Sequence, residues 1–368
     1  MLALGFSVFL VFGVCLVLVG VHQEELAADL GLDLAGTGLL GAALSLGIGV
    51  GVAGAGPLAD RLPRRRLFAA AGLLAGGSLL SFAPDMGFPR ALVQMAVVGI
   101  GIGALETVVN VAVTQRHGAA STRPLLFVHS AATIGAMLTP FAVALTLPAW
   151  TTSFHVTGAA ALVLAGGVLF SELPAPPPRK PGLRKLPALG ALLPFLVMGF
   201  AYVGVETTLT LFAVPYAHET LALTEARGRE AIGIFWSGLL AARLLLMLVR
   251  RPIGAGFLVA SGLAGAAIVF GGIGWQLQRV EIVYAAAGLA MGFVFPLMIA
   301  LTAERFPDAR GTATGLVAGA AAFGGFALPW LSGVLGDRVG VAPALAALAP
   351  WCLVVACAAA LTQRGNRE

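Results

Sequence analysis

The stretch GIGIGALETVVNVAVTQRHGAASTRPLLFVHSAATIGAMLTP, residues 99–140, decides the fold. It opens inside an apolar run of membrane length, crosses a short basic loop with Arg116 and Arg123, and enters a second apolar run. Glu106 and Asn110 sit in the first run, four residues apart, so they lie one above the other on one helix face. His129 sits in the second. An ionisable group inside a membrane span is costly, and by default it marks a functional site.

The whole chain repeats this pattern. Of its 368 residues 59% are hydrophobic and 11% charged, against about 25% charged in soluble domains. The mean hydropathy is +0.95. No water-soluble fold hides that much apolar surface, so the chain reads as a polytopic membrane protein in a lipid bilayer. Its 49 glycines suit helices that pack closely through small residues. Cys15, Cys352 and Cys357 stand in apolar runs without His or Cys at ligand spacing, and read as small buried hydrophobes. The N-terminal run lacks the basic flank of a signal peptide and reads as a first span.

Twelve runs of about 20 apolar residues follow one another, at 3–21, 35–58, 67–83, 90–113, 125–147, 152–171, 187–213, 230–249, 253–273, 281–302, 312–335 and 342–362. The expected fold is all-α: twelve transmembrane helices in two pseudo-symmetric six-helix bundles. The bundles are placed at 1–172 and 187–368, joined by the proline-rich, basic linker 173–186. Of the 22 Lys and Arg, sixteen fall on loops that share a side with both termini, five on the other side, and Arg243 inside a span. That bias predicts cytoplasmic termini and an inner-membrane location. It also explains the pI of about 9.6 as a topology signal, because the basic clusters are too short and scattered to bind nucleic acid. The acidic loop HQEELAADLGLD after the first span is expected to be a solvated helix end. Gln94 and His155, near span ends, are expected to snorkel.

An offset of 189 residues aligns the halves. It pairs Arg61 with Arg250, Gly103 with Gly292, Arg116 with Arg305, Gly135 with Gly324 and Pro140 with Pro329. The ionisable groups do not follow it, since Glu106 falls on Phe295 and Glu206 on Val17.

Between the second and third spans stands GPLADRLPRRR, residues 56–66. Gly56 allows close helix approach, Asp60 can pair with cations or a helix N-terminus, and Arg61, Arg64 and Arg65 hold the loop inside. This resembles the loop signature of the major facilitator superfamily, with Pro63 where the second glycine usually stands. The resemblance implies a role in the conformational cycle for these five residues. GIGALETVVN (101–110), FAYVGVETTLTLFAVPY (200–216) and FWSGLLAARLL (235–245) are similar to the fourth, seventh and eighth spans of the fucose/galactose/glucose proton symporter branch. The first span has no acid before Glu24, so the branch's proton-coupling role carries over to Glu106 alone.

Glu106 is therefore the expected proton-coupling group, with Glu206 as a substrate-binding group, a second protonation site or a partner of Arg243. Arg243 needs an acid, and Glu106 or Glu206 can supply it. Asn110 suits a solute hydroxyl or helix–helix bonding equally. His129 suits a proton shuttle, a solute or a neutral interhelical bond. Tyr202 and Trp236 complete the candidate substrate-binding set, Trp236 by stacking or as a core aromatic whose N–H needs one partner. No phosphate loop, metal cluster or nucleophile elbow is visible, so neither an enzyme nor a cofactor is expected. The expected function is proton-coupled symport of a sugar or similar polar solute by alternating access, in a protein able to act as a monomer. The rivals are a proton-driven exporter of drugs or lipids and a non-transporting membrane receptor.

Overall fold

The computed structural model describes residues 1–59, 61–118, 121–145, 149–171, 173–175, 189–248 and 254–364. Most of the linker, together with Asp60 and Arg250, lies outside them. Helices make up the described chain: α1 Leu2–Val21, α2 Gln23–Leu30, α3 Leu34–Ala59, α4 Arg64–Leu80, α5 Phe88–His117, α6 Thr122–Val143, α7 Trp150–Gly167 and α8 Leu189–Leu211. Then follow α9 Ala213–Pro215, α10 Glu225–Leu248, α11 Ala255–Ile268, α12 Val280–Met291, α13 Val294–Arg305, α14 Arg310–Val339, α15 Val341–Ala346 and α16 Ala349–Arg364. Among the described residues eleven helical stretches are long and apolar enough to cross a membrane. The third expected span is the shorter α4, whose 17 residues open on three arginines.

Two compact units divide the chain, one of Met1–Leu32 with Leu39–Pro181, the other of Asp33–Gly38 with Gly182–Glu368. In the first unit α1 packs on α6, and α4 on α5 and α7. In the second, α8 packs on α14 and α16, and α11 on α16. The repeated glycines make both sets of contacts. A methyl on Gly135 would lie 2.3 Å from the Leu10 carbonyl oxygen of α1, and one on Gly324 would lie 1.9 Å from the Phe200 oxygen of α8. A methyl on Gly99 or on Gly288, also 189 apart, would come as close to the carbonyl oxygens of Leu44 and Phe235, at 2.2 and 2.1 Å. Only a missing Cβ permits such approach between membrane helices.

The second unit breaks its helices beside three of its prolines. Pro215, Pro296 and Pro350 lack the N–H that would bond the carbonyls of Leu211, Gly292 and Ala346. The helical run stops at Phe212, at Gly292–Phe293 and at Ala347–Leu348. Around the first break the Tyr284 hydroxyl donates to the Leu209 carbonyl (3.3 Å), and the Tyr216 hydroxyl donates to Ile273 (3.2 Å). Burial pushes the Tyr216 phenol up to about 12, so it stays a proton donor at working pH.

Three expectations change. The acidic loop is the helix α2, and its junction with α1 is not solvated: His22, Gln23 and Leu26 are buried while Asp29 is exposed. Gln94 and His155 do not snorkel. The Gln94 amide donates to Ser81 Oγ (2.6 Å) and His155 Nε2 to the Phe82 carbonyl (2.8 Å), because the chain bend after α4 offers both an acceptor. Cys15 and Cys352 are buried but Cys357 is exposed. Five residues carry it about 140° round α16 from Cys352.

Candidate functional site

In the first unit the organising stretch closes on itself. Glu106 lies mid-helix in α5, partly exposed, with Asn110 one turn on, and their side chains hydrogen-bond. His129, from α6, meets Asn110 with 2.9 Å between Nε2 and Oδ1. A carbonyl oxygen only accepts, so the imidazole donates from Nε2. That leaves the Asn110 NH₂ as the group facing Glu106. Behind the imidazole the Phe9 ring of α1 lies 4.3 Å away, centroid to centroid. Phe9, Leu105, Val108 and Val128 form one buried cluster around this network. Among the described residues no cation pairs with Glu106.

The second unit holds a charged arrangement instead. Tyr202 and Glu206 stand one turn apart on α8, and the Tyr202 hydroxyl donates to Glu206. Arg243, from α10, donates to the Tyr202 oxygen and sets its positive charge beside Glu206. Of the two acids open to it in the sequence, Glu206 is the one in its own unit. Phe295, the repeat counterpart of Glu106, packs against Tyr202 with centroids 6.3 Å apart. Trp236 is buried at 4% exposure and stands T-shaped to Phe235. Among the described residues its N–H has no acceptor, which departs from the single partner expected of a core indole.

The loop motif is only partly as expected. A Cβ on Gly56 would meet nothing within 4 Å, so the close helix approaches of α3 fall instead on Gly47 and Gly51, set against Ala96 and Ile100. Arg61 and Arg65 are exposed, but Arg64 is buried at 2% exposure. Its guanidinium donates to the carbonyls of Ala59 (3.4 Å) and Pro174 (2.9 Å) and to the Gln115 side chain. Gln115 in turn donates to the Ala175 carbonyl (2.9 Å), and Arg65 donates to Ser171 (2.9 and 2.6 Å). The motif thus stitches the segment leaving the first unit to the ends of α3 and α5.

Sequence reasoning missed Phe9, Gln115 and the carbonyls of Ser171, Pro174 and Ala175. Phe9 is one apolar residue in an apolar run, and main-chain acceptors have no sequence signal. It also missed His22, whose place directly after an uncharged span was the available hint.

A family model described as Major Facilitator Superfamily matches residues 2–278. No curated protein matches the sequence. Among solved structures the chain is similar to a D-xylose-proton symporter, at 18% identity and TM-score 0.77, with 98% of this chain and 96% of that one covered. It is similar to a bacterial homolog of the human lysosomal transporter Spinster in an inward-facing conformation, at 15% identity and TM-score 0.75, with 99% and 96% covered. The transporter FucP in the outward conformation aligns at 17% identity and TM-score 0.69, over 98% of each chain. At these identities the likeness is one of fold.

Proposed function

Since the chain belongs to the Major Facilitator Superfamily, we propose that it is a secondary active transporter working by alternating access, and that it couples a proton to symport of a sugar or similar small polar solute. The observation that carries this reading is the Glu106–Asn110–His129 network, in which the partner of the mid-span carboxyl is the neutral Asn110 amide. A carboxyl so placed can change charge without breaking an ion pair, which a proton-coupling group must do.

The network also sets where the proton goes. The Glu106 oxygen facing the Asn110 NH₂ remains an acceptor in both charge states. The proton is therefore taken up on the other oxygen, away from Asn110. Glu206 differs, because Tyr202 and Arg243 already compensate its charge. We assign Glu206, Tyr202 and Arg243 to holding solute oxygens, together with the unpartnered Trp236 N–H. The fold's likeness to a D-xylose-proton symporter supports a polar solute. The Lys and Arg bias supports an inner-membrane protein with cytoplasmic termini.

Proteoliposome uptake tests the reading, using a panel of hexoses under proton and sodium gradients. The unmodified protein accumulates one of them under an inward proton gradient. Glu106→Gln keeps exchange and loses accumulation. If no hexose moves under either gradient, the sugar reading is wrong, and amphipathic drugs and lipids become the next panel.

A further inference from the structure

Resting on the transport reading, we propose that the second unit presents a neutral oxygen-binding pair, the Thr210 hydroxyl and the Trp236 N–H, which with Glu206 and Arg243 selects an uncharged, polyhydroxylated solute. Thr210 stands on α8 one turn beyond Glu206, on the same face. Trp236 stands on α10, seven residues and so about two turns before Arg243, again on one face. Both side chains are buried, at 3% and 4% exposure, and among the described residues neither Thr210 Oγ1 nor Trp236 Nε1 has a hydrogen-bond partner. Buried polar groups are nearly always paired. Other threonines of the spans show how. Thr139, Thr208 and Thr302 donate to the carbonyl four residues back, at 2.7, 2.7 and 2.8 Å. Thr210 makes no such bond to the Glu206 carbonyl, so its hydroxyl is turned off its own helix.

The two groups share one neighbourhood. The Trp236 ring stands T-shaped to Phe235, and Phe235 stands T-shaped to Tyr284, with centroids 6.3 Å apart in both pairs. The Tyr284 hydroxyl in turn donates to the carbonyl of Leu209, the residue before Thr210 (3.3 Å). This succession of buried rings fixes the indole, so its N–H is aimed before any solute arrives. Chemistry then restricts what the pair can take. An indole N–H only donates, whereas a threonine hydroxyl donates or accepts. Two hydroxyls of one solute meet both needs, one accepting from Trp236 and the other exchanging a bond with Thr210. The charges close by are already matched, since Arg243 sets its charge beside Glu206. A carboxylate on the solute would compete with Glu206 for Arg243, and an ammonium would compete with Arg243 for Glu206. Either leaves one charge without its counterpart. A neutral polyol disturbs neither.

The test reads binding and is separate from uptake. Thermal unfolding of the full-length protein in detergent is followed against rising concentrations of neutral pentoses and hexoses, of glucuronate and of glucosamine. At least one neutral sugar raises the melting temperature, and glucuronate and glucosamine do not. Thr210→Val leaves the melting temperature of the free protein unchanged or higher, because it removes an unpaired buried hydroxyl. The same variant raises the half-saturating sugar concentration about tenfold, as the loss of one hydrogen bond does, and Trp236→Phe does likewise. Thr210→Ser, which keeps the hydroxyl, restores the affinity. Thr208→Val, whose hydroxyl bonds its own helix, leaves it unchanged. A free protein destabilised more by Thr210→Val than by Thr208→Val overturns the proposal, because the Thr210 hydroxyl then has a structural partner. A neutral sugar that binds both variants as tightly as the unmodified chain overturns the pair and leaves proton-coupled symport standing. A sugar that binds as expected but is not accumulated sinks symport and leaves the pair standing. Binding of glucuronate or glucosamine, or of no neutral sugar, overturns the neutral class. Should Trp236→Phe not fold, the three threonine variants carry the same comparison.

Discussion

At the scale of single residues the two units solve the same problem with different chemistry. Glu106 is held by an amide that is itself held by an imidazole, whereas Glu206 is held by a phenol and a guanidinium. Arg243→Leu therefore strands the Glu206 carboxylate. The variant is expected to lose about 1–3 kcal/mol, less than a fully buried pair because both side chains keep some exposure. The Glu206→Leu/Arg243→Leu double variant should recover much of that loss. Thermal melts of the three proteins check this, and equal losses in single and double variants would remove the pair from the description. Asn110→Leu takes away the bridge in the first unit. It should cost about 1–3 kcal/mol, since it leaves His129 Nε2–H without its acceptor, and it should reduce gradient-driven accumulation more than exchange. The four-residue spacing of Glu106 and Asn110 made their pairing legible in the sequence. The bond to His129 was not legible, because it depends on how far α6 is turned against α5, and packing of residues such as Phe9 and Val128 sets that turn.

At the scale of elements the glycines divide by what stands opposite them. Gly135→Ala would drive a methyl into a backbone oxygen 2.3 Å away, so α1 and α6 must separate. A cost of about 1–3 kcal/mol is expected, as for other overpacked contacts. Gly319, on α14, has nothing within 4 Å of its added Cβ. Gly319→Ala should be neutral or raise stability by up to about 1 kcal/mol through helix propensity. Melting temperatures of the two variants should move apart, and a loss at Gly319 equal to that at Gly135 would contradict the contact reading. The spans themselves were legible from apolar runs because the bilayer fixes their length. Their internal breaks were not, although each proline was in view. Pro140 and Pro329 sit inside unbroken helices while Pro215, Pro296 and Pro350 accompany breaks. Whether a helix tolerates the missing bond depends on its neighbours.

At the scale of the whole molecule the sequence carried the duplication further than the site. The 189-residue offset matches the packing of α1 on α6 with that of α8 on α14, through Gly135 and Gly324. Function does not follow the offset, so no symmetry argument leads from Glu106 to Glu206 and Arg243. The distribution of Lys and Arg makes its own prediction for the intact chain. Green fluorescent protein fused to the C-terminus should fluoresce, and alkaline phosphatase fused there should be inactive. The opposite pair of results would place the His22 junction on the cytoplasmic side.

The proline breaks have a consequence for how the two copies have aged since duplication. Each break exchanges a main-chain hydrogen bond for local freedom, and all three fall in the second copy. The second unit therefore carries more such joints than the first, within the same succession of helices. Deuterium should enter the amides around Phe293 and Leu348 well before those at the matching positions of α5 and α7. The duplication produced more than a pair of similar halves. Its halves share a succession of helices and differ in where those helices are jointed.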